Sequence, residues 1–455
     1  MNPRLLKFRI TPRVLLSDTP QTITVEGLDS SYPFYDDIEY TVKITNAYEW
    51  NFASDDNLGY KNRNCTDILK LHSVNGVIKI DYCFKGEGEW VISITPEKLT
   101  DELLAHHKKY GWEFRNPHLQ EYVNFSVFSL HEDLYNKKIF KGDLHVHTYG
   151  SDGWESPQMT AAQYRKYGFD FIAITDHYKM NPSLEAIETF KDIPTPFKIF
   201  QGEEVHVYDK HCVHMVNFNC KSSVNEKIEN DFDNTFAEVQ KIADTLKLSN
   251  KADRIDRAWY IWVYEQIKKS GGIAIYPHPE WRITGSYNVR ESVTKWLFKE
   301  KLFDAFEIIG GNNKQGNQMQ AQHYYTLALE GCKYPIVASS DCHSPLWDHV
   351  SNFNNSWTFI FAEDTEKIPE NIMKCNTVAI DNSNPDDKLV LGDYRLVKYA
   401  WFLIENYFEM HDFLCSSSGQ AILDYIFGDK ENATLVSLLE GKIKKYQKEF
   451  FGKEY

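Results

Sequence analysis

The sequence has no C-x-x-C pair, no dense cysteine framework and no apolar run near the 18 or so residues of a membrane helix. Its eight cysteines (Cys65, Cys83, Cys212, Cys220, Cys332, Cys342, Cys375 and Cys415) are scattered. That excludes a disulfide scaffold or a thiolate zinc module and fits reduced thiols in a cytoplasm. Positive charge is also short: 50 Lys+Arg stand against 65 Asp+Glu, a formal net charge of −15. A field of that sign repels anions, so broad binding to nucleic acid or to an anionic membrane is not expected, and any anion must be held by local positive charge. The start carries Arg4, Lys7, Arg9 and Arg13 in place of an apolar secretory core, which predicts a protein that is not exported.

With 455 residues, 42% hydrophobic and 25% charged, the chain has ordinary globular composition and a length that predicts two or three domains. The first 140 residues read as β-rich. Ile38, Tyr40, Val42 and Ile44 alternate with Glu39, Thr41 and Lys43, the period of a half-buried strand. Similar runs at 22–25, 77–82, 90–94 and 122–130, separated by turn-rich pieces at 54–57 and 86–88, predict a β-sandwich-like domain over 1–137. Its aromatics Tyr32, Phe34, Tyr35, Tyr48, Trp50 and Phe52 read as core and rim packing.

From 138 to 393 short apolar runs (169–175, 198–200, 273–276, 303–309, 336–339) alternate with helical stretches (159–167, 225–246, 255–269, 318–329), the pattern of βα units around a parallel sheet or barrel. Residues 394–455 read as a helical extension packed on that barrel, with breaks at 416–419 and 428–429.

The chemistry lies where the apolar runs of the middle domain end. His145 and His147, at i and i+2, share one face of a strand and could take one metal ion between them. Asp152 follows in Ser151-Asp152-Gly153, and His177 closes Thr175-Asp176-His177. Beyond them come Glu204 in Gly202-Glu203-Glu204, His214 in His211-Cys212-Val213-His214, His278 in Pro277-His278-Pro279, and the pair Asp341 and His343 around Cys342. A single histidine at a strand end is more often a hydrogen-bonded structural residue than a ligand. Here nearly every predicted strand of one domain ends in His, Asp or Glu, and the N-terminal domain shows no such pattern, so a metal cluster is expected. Glu203 competes with Glu204 for one position and His211 with His214 for another. Cys342 should face away from its two neighbours and pack in the core.

The order H-x-H-T-x-x-S-D-G, T-D-H, G-x-E, a further His, P-H-P and S-D-x-H, over about residues 141–381, resembles the motif set of the polymerase and histidinol phosphatase (PHP) metallo-phosphoesterases. The G-D-L-H-x-H-T opening and the β domain before it are similar to the carbaryl-hydrolase-like branch. The resemblance implies a distorted (βα)7 barrel with a two- or three-metal site at the strand ends, its ligands being His145, His147, Asp152, His177, Glu204, His214, His278, Asp341 and His343. Asp152 stands where some members have His, which makes that pocket harder and more anionic. Six neutral imidazoles and three carboxylates give −3, and three divalent ions would leave the filled cluster at about +3, a phosphate site in an acidic protein.

Mixed nitrogen and oxygen ligation suits Zn, Mn or Fe. The expected activity is hydrolysis of a small-molecule phosphate ester by a metal-bridging hydroxide held by Glu204 and Asp341, with hydrolysis of a carboxylic or carbamic ester as the rival and a non-catalytic metal-containing module as the third reading. Tyr178, Lys179, Trp281, Asn312 and Asn313 follow strand ends and could meet substrate. Arg282, four residues after His278, is expected to hold phosphoryl oxygens, because a guanidinium matches them two at a time.

Overall fold

The computed structural model of the chain describes residues 7–28, 33–49, 51–52, 63–97, 123–207, 213–311, 313–346 and 352–455. The chain divides into two compact units, Met1–Lys137 with Trp401–Glu409 and Lys442–Tyr455, and Lys138–Ala400 with Met410–Gly441.

The first unit carries two larger sheets and a two-stranded pair, Asn51–Phe52 with Arg63–Asn64. One has the order Phe8–Thr11, Pro20–Gly27, Val77–Cys83; the other has the order Val14–Leu16, Val123–Leu130, Gly88–Pro96, Glu39–Asn46, Asp67–His72. All neighbours pair antiparallel except Val14–Leu16, which runs parallel to Val123–Leu130. The alternation at 38–44 acts as the period demands: Tyr40, Val42 and Ile44 are buried, and Glu39 and Lys43 are exposed. Ile23, Val25, Ile78 and Ile80 from one sheet share a core with Val42, Ile44, Ile92 and Ile94 from the other. Phe34 joins that core, edge-on to Tyr40 at 5.4 Å, whereas Tyr48 is exposed. Tyr32, Trp50, the side chain of Phe52, the turn 54–57, His106, His107 and His118 lie outside the described residues.

The second unit has two larger sheets and a two-stranded hairpin, Arg282–Ile283 with Ser286–Tyr287. The six-stranded one runs Lys198–Phe200, Phe171–Ile174, Lys138–Val146, Ser356–Ala362, Thr377–Asp381, Leu389–Gly392. The five-stranded one runs Gly202–His206, His214–Phe218, Ile273–Tyr276, Ala305–Ile309, Ile336–Ala338. Both are mixed, which corrects the expectation of parallel βα units throughout. Gly202–His206 and His214–Phe218 pair antiparallel, and so do the last three strands of the six-stranded sheet. Lys138–Val146 pairs parallel with Phe171–Ile174, and Ile273–Tyr276 with Ala305–Ile309, each across a helix, whereas His214–Phe218 and Ile273–Tyr276 pair antiparallel with three helices between them. Isolated bridges, Val146 to Cys342 and His177 to Glu204, join the two sheets at the chain positions that carry the candidate donors.

Side-chain caps mark the start of several helices. Ser156 accepts from Met159 N–H with Pro157 at the first turn of Pro157–Lys166, Asn250 caps Lys251–Lys269, and Asn313 caps Lys314–Leu329. The expected single helix 225–246 is two, Val224–Asn230 and Phe232–Thr245, because Asp231 leaves helical geometry (φ −150°) to cap the second.

Residues 394–455 are helical and are divided between the two units. The break expected at 416–419 is absent, and Glu409–Ile426 runs through it. Gly419 serves contact instead of termination: a Cβ there would lie 2.3 Å from the backbone of Lys166 on Pro157–Lys166. Gly419→Ala should therefore cost about 1–3 kcal/mol by forcing the two helices apart, read as a lower midpoint in chemical denaturation. No helix among the described residues is long and apolar enough to cross a membrane.

Candidate metal centre

Strand period and the two inter-sheet bridges bring the nine expected residues to one place. His145 and His147 leave Lys138–Val146 on one face, and both imidazoles are buried. Their Nε2 atoms lie 3.1 Å apart. Glu204 Oε2 stands 3.1 Å from the first and 3.4 Å from the second, and Asp341 Oδ1 stands 3.4 and 2.9 Å from them. Glu204 is the hub. Its Oε2 also meets His177 Nδ1 at 3.0 Å, while Oε1 meets His214 Nδ1 at 2.7 Å and His278 Nε2 at 3.3 Å. Asp152 lies at the open side, with Oδ2 3.3 Å from His343 Nε2 and 3.8 Å from His177 Nε2. Burial grades across the cluster, from Glu204 at 0% exposed to Asp152 at 56%.

The backbone is held in uncommon geometry to do this. Tyr178, His278 and Asp341 have positive φ (63°, 27° and 51°), and such strain persists only where the surroundings over-determine it. Asp176 supplies part of that constraint by accepting from Thr148 N–H and Oγ1 and from Ser151 N–H and Oγ, which folds the turn that presents Asp152. Gly153 closes that turn where a Cβ would lie 2.6 Å from Thr148 N. Asp143, whose carboxyl burial pushes up to about 6, accepts from the His145 and Ser340 N–H groups and from Tyr164 Oη, tying the strand of His145 to the loop of Asp341.

Glu203 and Glu204 separate by face. Glu203 points the other way from Glu204, accepting from Asn217 Nδ2, Ser223 Oγ and the N–H groups of Val224 and Asn225, so it caps the helix Val224–Asn230. His214 is in the cluster, and His211 lies outside the described residues. Cys342 is buried, and its carbonyl accepts from His147 N–H.

Sequence reasoning passed over Glu307, the one acid in the apolar strand Ala305–Ile309. Its Oε2 meets His145 Nδ1 at 3.2 Å, and its Oε1 accepts from His278 N–H. A carboxylate on the far nitrogen of an imidazole fixes its tautomer and raises its basicity. The signal was present: a lone Glu inside an otherwise apolar strand needs a partner.

The electrostatics ask for cations. Burial alone would raise the Glu204 carboxyl, but the facing His177, His214 and His145 carry it well below the usual carboxylate range; Asp341 and Asp152 are lowered in the same way by neighbouring imidazoles. His147 is pushed down to about 3 by burial and by His177, which leaves it neutral with a lone pair to donate. Buried His278 Nδ1 has no hydrogen-bond partner among the described residues. Donor separations near 3 Å are also what ligands at about 2.0–2.2 Å from a shared ion adopt. The residues present fit a metal centre, and clusters of buried His, Glu and Asp such as these suggest metal binding. The described donor groups all belong to the second unit; His131 of the first bonds Ser17 Oγ.

A cleft of about 870 Å³ opens on the cluster and is lined by Asp152, His177, Glu204, His214, His278, Asp341 and His343, with Tyr178, Lys179, His206, Glu229 and Trp281 around them. Arg282, expected at the phosphate, sits instead on a two-stranded hairpin, exposed, with its guanidinium donating to Gly285 O at 3.1 Å and lying over Tyr287. It is not among the described residues that line the cleft. Asn313 caps a helix, and Asn312 lies outside the described residues.

Residues 143–307 match the PHP domain, so the chain carries a PHP domain. No curated protein matches the sequence. Among solved structures, the chain is similar to a two-domain protein from Bacteroides vulgatus containing a predicted PHP-like metal-dependent phosphoesterase, at 17% identity and TM-score 0.38 over 54% of this chain; the match spans 65% of that protein, less than two thirds of its length. It is also similar to a provisionally assigned metal-dependent phosphoesterase from Bifidobacterium adolescentis (19%, TM-score 0.35, 51% of this chain and 95% of that one). A third is an amidohydrolase from Chromobacterium violaceum with bound sulfate and no metal (16%, TM-score 0.32, 46% and 89%).

Proposed function

We propose that the PHP domain of this chain, on two mixed sheets read as a distorted barrel, is a metal-dependent hydrolase of a small-molecule phosphate ester. His145, His147, Asp152, His177, Glu204, His214, His278, Asp341 and His343 are its ligand set, for two or three ions of Zn, Mn or Fe. The observation that carries this is the hub at Glu204. Its two oxygens face separate groups of imidazoles delivered by different strands, the arrangement a carboxylate needs to serve two ions at once. Bound ions would supply a water acidified enough to attack at neutral pH.

The chain's own groups do the rest. Asp341 and Glu204 hold negative charge beside the reacting position, Glu307 orients His145, and the strained loops keep the donors in place when substrate enters. A cleft of about 870 Å³ has the capacity of a small ligand.

Among the described residues that line the cleft, Lys179 carries a cationic side chain, with Nζ donating to Gly150 O at 2.9 Å. Lys179→Ala should raise KM about 10-fold on the best phosphate ester, the loss of one charge-assisted contact. Arg282→Ala should change kcat/KM less than about twofold, because Arg282 lies on the exposed hairpin outside the cleft lining. The reverse order of these effects would restore Arg282 to the phosphate. Elemental analysis of protein purified without added metal, with a panel of phosphomonoesters, phosphodiesters and aryl carboxylic esters, tests the whole reading. Turnover of carboxylic esters alone would overturn the phosphate assignment, and turnover without bound metal would overturn the mechanism.

A further inference from the structure

Past the nine candidate ligands, the cleft is walled mainly by rings. Among the described residues that line it, the remaining side chains are those of Tyr178, His206 and Trp281, the Lys179 ammonium, the Glu229 carboxylate and the Ser151 hydroxyl. Ser151 Oγ already donates to Asp176 Oδ1 at 2.7 Å, and Lys179 serves the phosphate. A sugar would need more donors and acceptors than this lining supplies, and a second phosphate would meet the charge of Glu229. A flat ring that carries no charge needs only ring surface.

Two of the rings are fixed together beside the hub. Tyr178 and His206 stack with centroids 4.9 Å apart and planes 14° apart, and Tyr178 holds φ 63° to do so. His206 also packs on His214, directly across the antiparallel pair, at 4.1 Å. Asn225 grips its strand on both sides of Val205: Oδ1 accepts from His206 N–H at 3.2 Å, and Nδ2 donates to Glu204 O at 2.9 Å. His206 follows Glu204 by two residues on the same face, so its ring stands about 7 Å along the strand from the hub. That is where the group leaving a phosphoryl held at Glu204 would lie. Trp281, by contrast, is 42% exposed at the root of the hairpin and meets His278 edge-on at 5.9 Å.

We infer that Tyr178, backed by His206, is the specificity-determining residue of the cleft, and that this stacked pair receives the leaving group, selecting phosphate esters whose leaving group carries a flat, uncharged aromatic ring. This rests on the phosphate-ester reading of the same site. Aromatic pairs gain from offset or edge-to-face contact beyond the area they bury, which a saturated ring of the same size does not. The stack and the Asn225 clamp hold the platform before a ligand arrives, so little freedom is lost on binding.

The test compares benzyl phosphate with cyclohexylmethyl phosphate on the metal-reconstituted full-length chain. The two esters share size, linkage and an alcohol leaving group, and differ in whether the ring is flat and aromatic. A merely apolar wall favours the saturated ring, which buries more CH surface. The native chain should instead show a kcat/KM about 3- to 10-fold higher for the benzyl ester, a reading that depends on no variant folding. Tyr178→Phe should keep that ratio, Tyr178→Leu should bring it within about twofold of one, and His206→Leu should lower it. Equal kcat/KM for the two esters in the native chain, or a preference for the saturated one, overturns the platform. So does a preference that survives Tyr178→Leu, or one that Trp281→Leu removes in its place. Hydrolysis of neither ester while another phosphate ester is turned over overturns the platform alone. Hydrolysis of no phosphate ester by the metal-loaded chain overturns the phosphate reading, and the platform with it.

Discussion

Glu204→Gln should lose most of its bound metal and lower kcat/KM by about 10³–10⁵, equivalent to roughly 4–7 kcal/mol of transition-state stabilisation. Five imidazoles face this one carboxylate within 3.4 Å, and it is fully buried. An amide keeps the shape, but it loses the charge and turns one oxygen into a donor aimed at rings that must themselves donate lone pairs. The adjacent Glu203 cannot replace it, because it faces the other way and is spent on capping the helix Val224–Asn230. The fold should persist, since the variant removes a buried charge and leaves the apolar strand cores untouched. Metal content by elemental analysis, far-ultraviolet circular dichroism and kcat/KM on the best ester decide it. A folded Glu204→Gln protein with full metal content and more than a tenth of native turnover would sink the hub assignment.

What was legible in the sequence is what local periodicity controls. His145 and His147 could be placed on one face because a strand repeats every two residues, and that holds whichever sheet the strand joins. Glu204, expected at a strand end, lies in the middle of Gly202–His206, and the alternation of faces along that strand explains why it and Glu203 have different work. Pairing between distant strands has no local signature. Nothing near residue 140 announces that Ser356–Ala362 runs antiparallel beside it, so the mixed sheets were read as parallel.

Side chains whose direction depends on a hairpin or on close packing were equally hidden. Arg282 is four residues from His278, but two short strands turn its guanidinium onto Gly285 and Tyr287. The Ser-Ser-Ser-Gly stretch at 416–419 looks like a helix breaker until Lys166 is found against Gly419. Glu307 and Asn225 escaped for a related reason: each acts on a donor brought near only by folding, His145 for one and the Glu204 strand for the other.

Removing metal should abolish turnover and also lower the stability of the second unit. Among the described residues the cations within ion-pair distance of Glu204 and Asp341 are imidazoles; burial works against charge on each, yet the facing carboxylates raise His145, His177 and His278 while His147 is pushed down to about 3, so without metal the buried carboxylates are balanced by protonated rings alone. Ions that bind the folded site and not the unfolded chain stabilise by mass action, about 2.7 kcal/mol for one ion at a hundred times its Kd. For a unit of this size each kcal/mol moves Tm by roughly 2–4 °C. Chelation should therefore lower the transition of this unit by at least about 5 °C and reduce hydrolysis by more than about 10³-fold, with both recovered on adding back zinc, manganese or iron. Differential scanning calorimetry with and without chelator reads the first effect, and initial rates on the same samples read the second. Unchanged Tm and rate after elemental analysis shows the metal gone would mean that the nine residues hold the fold together without it.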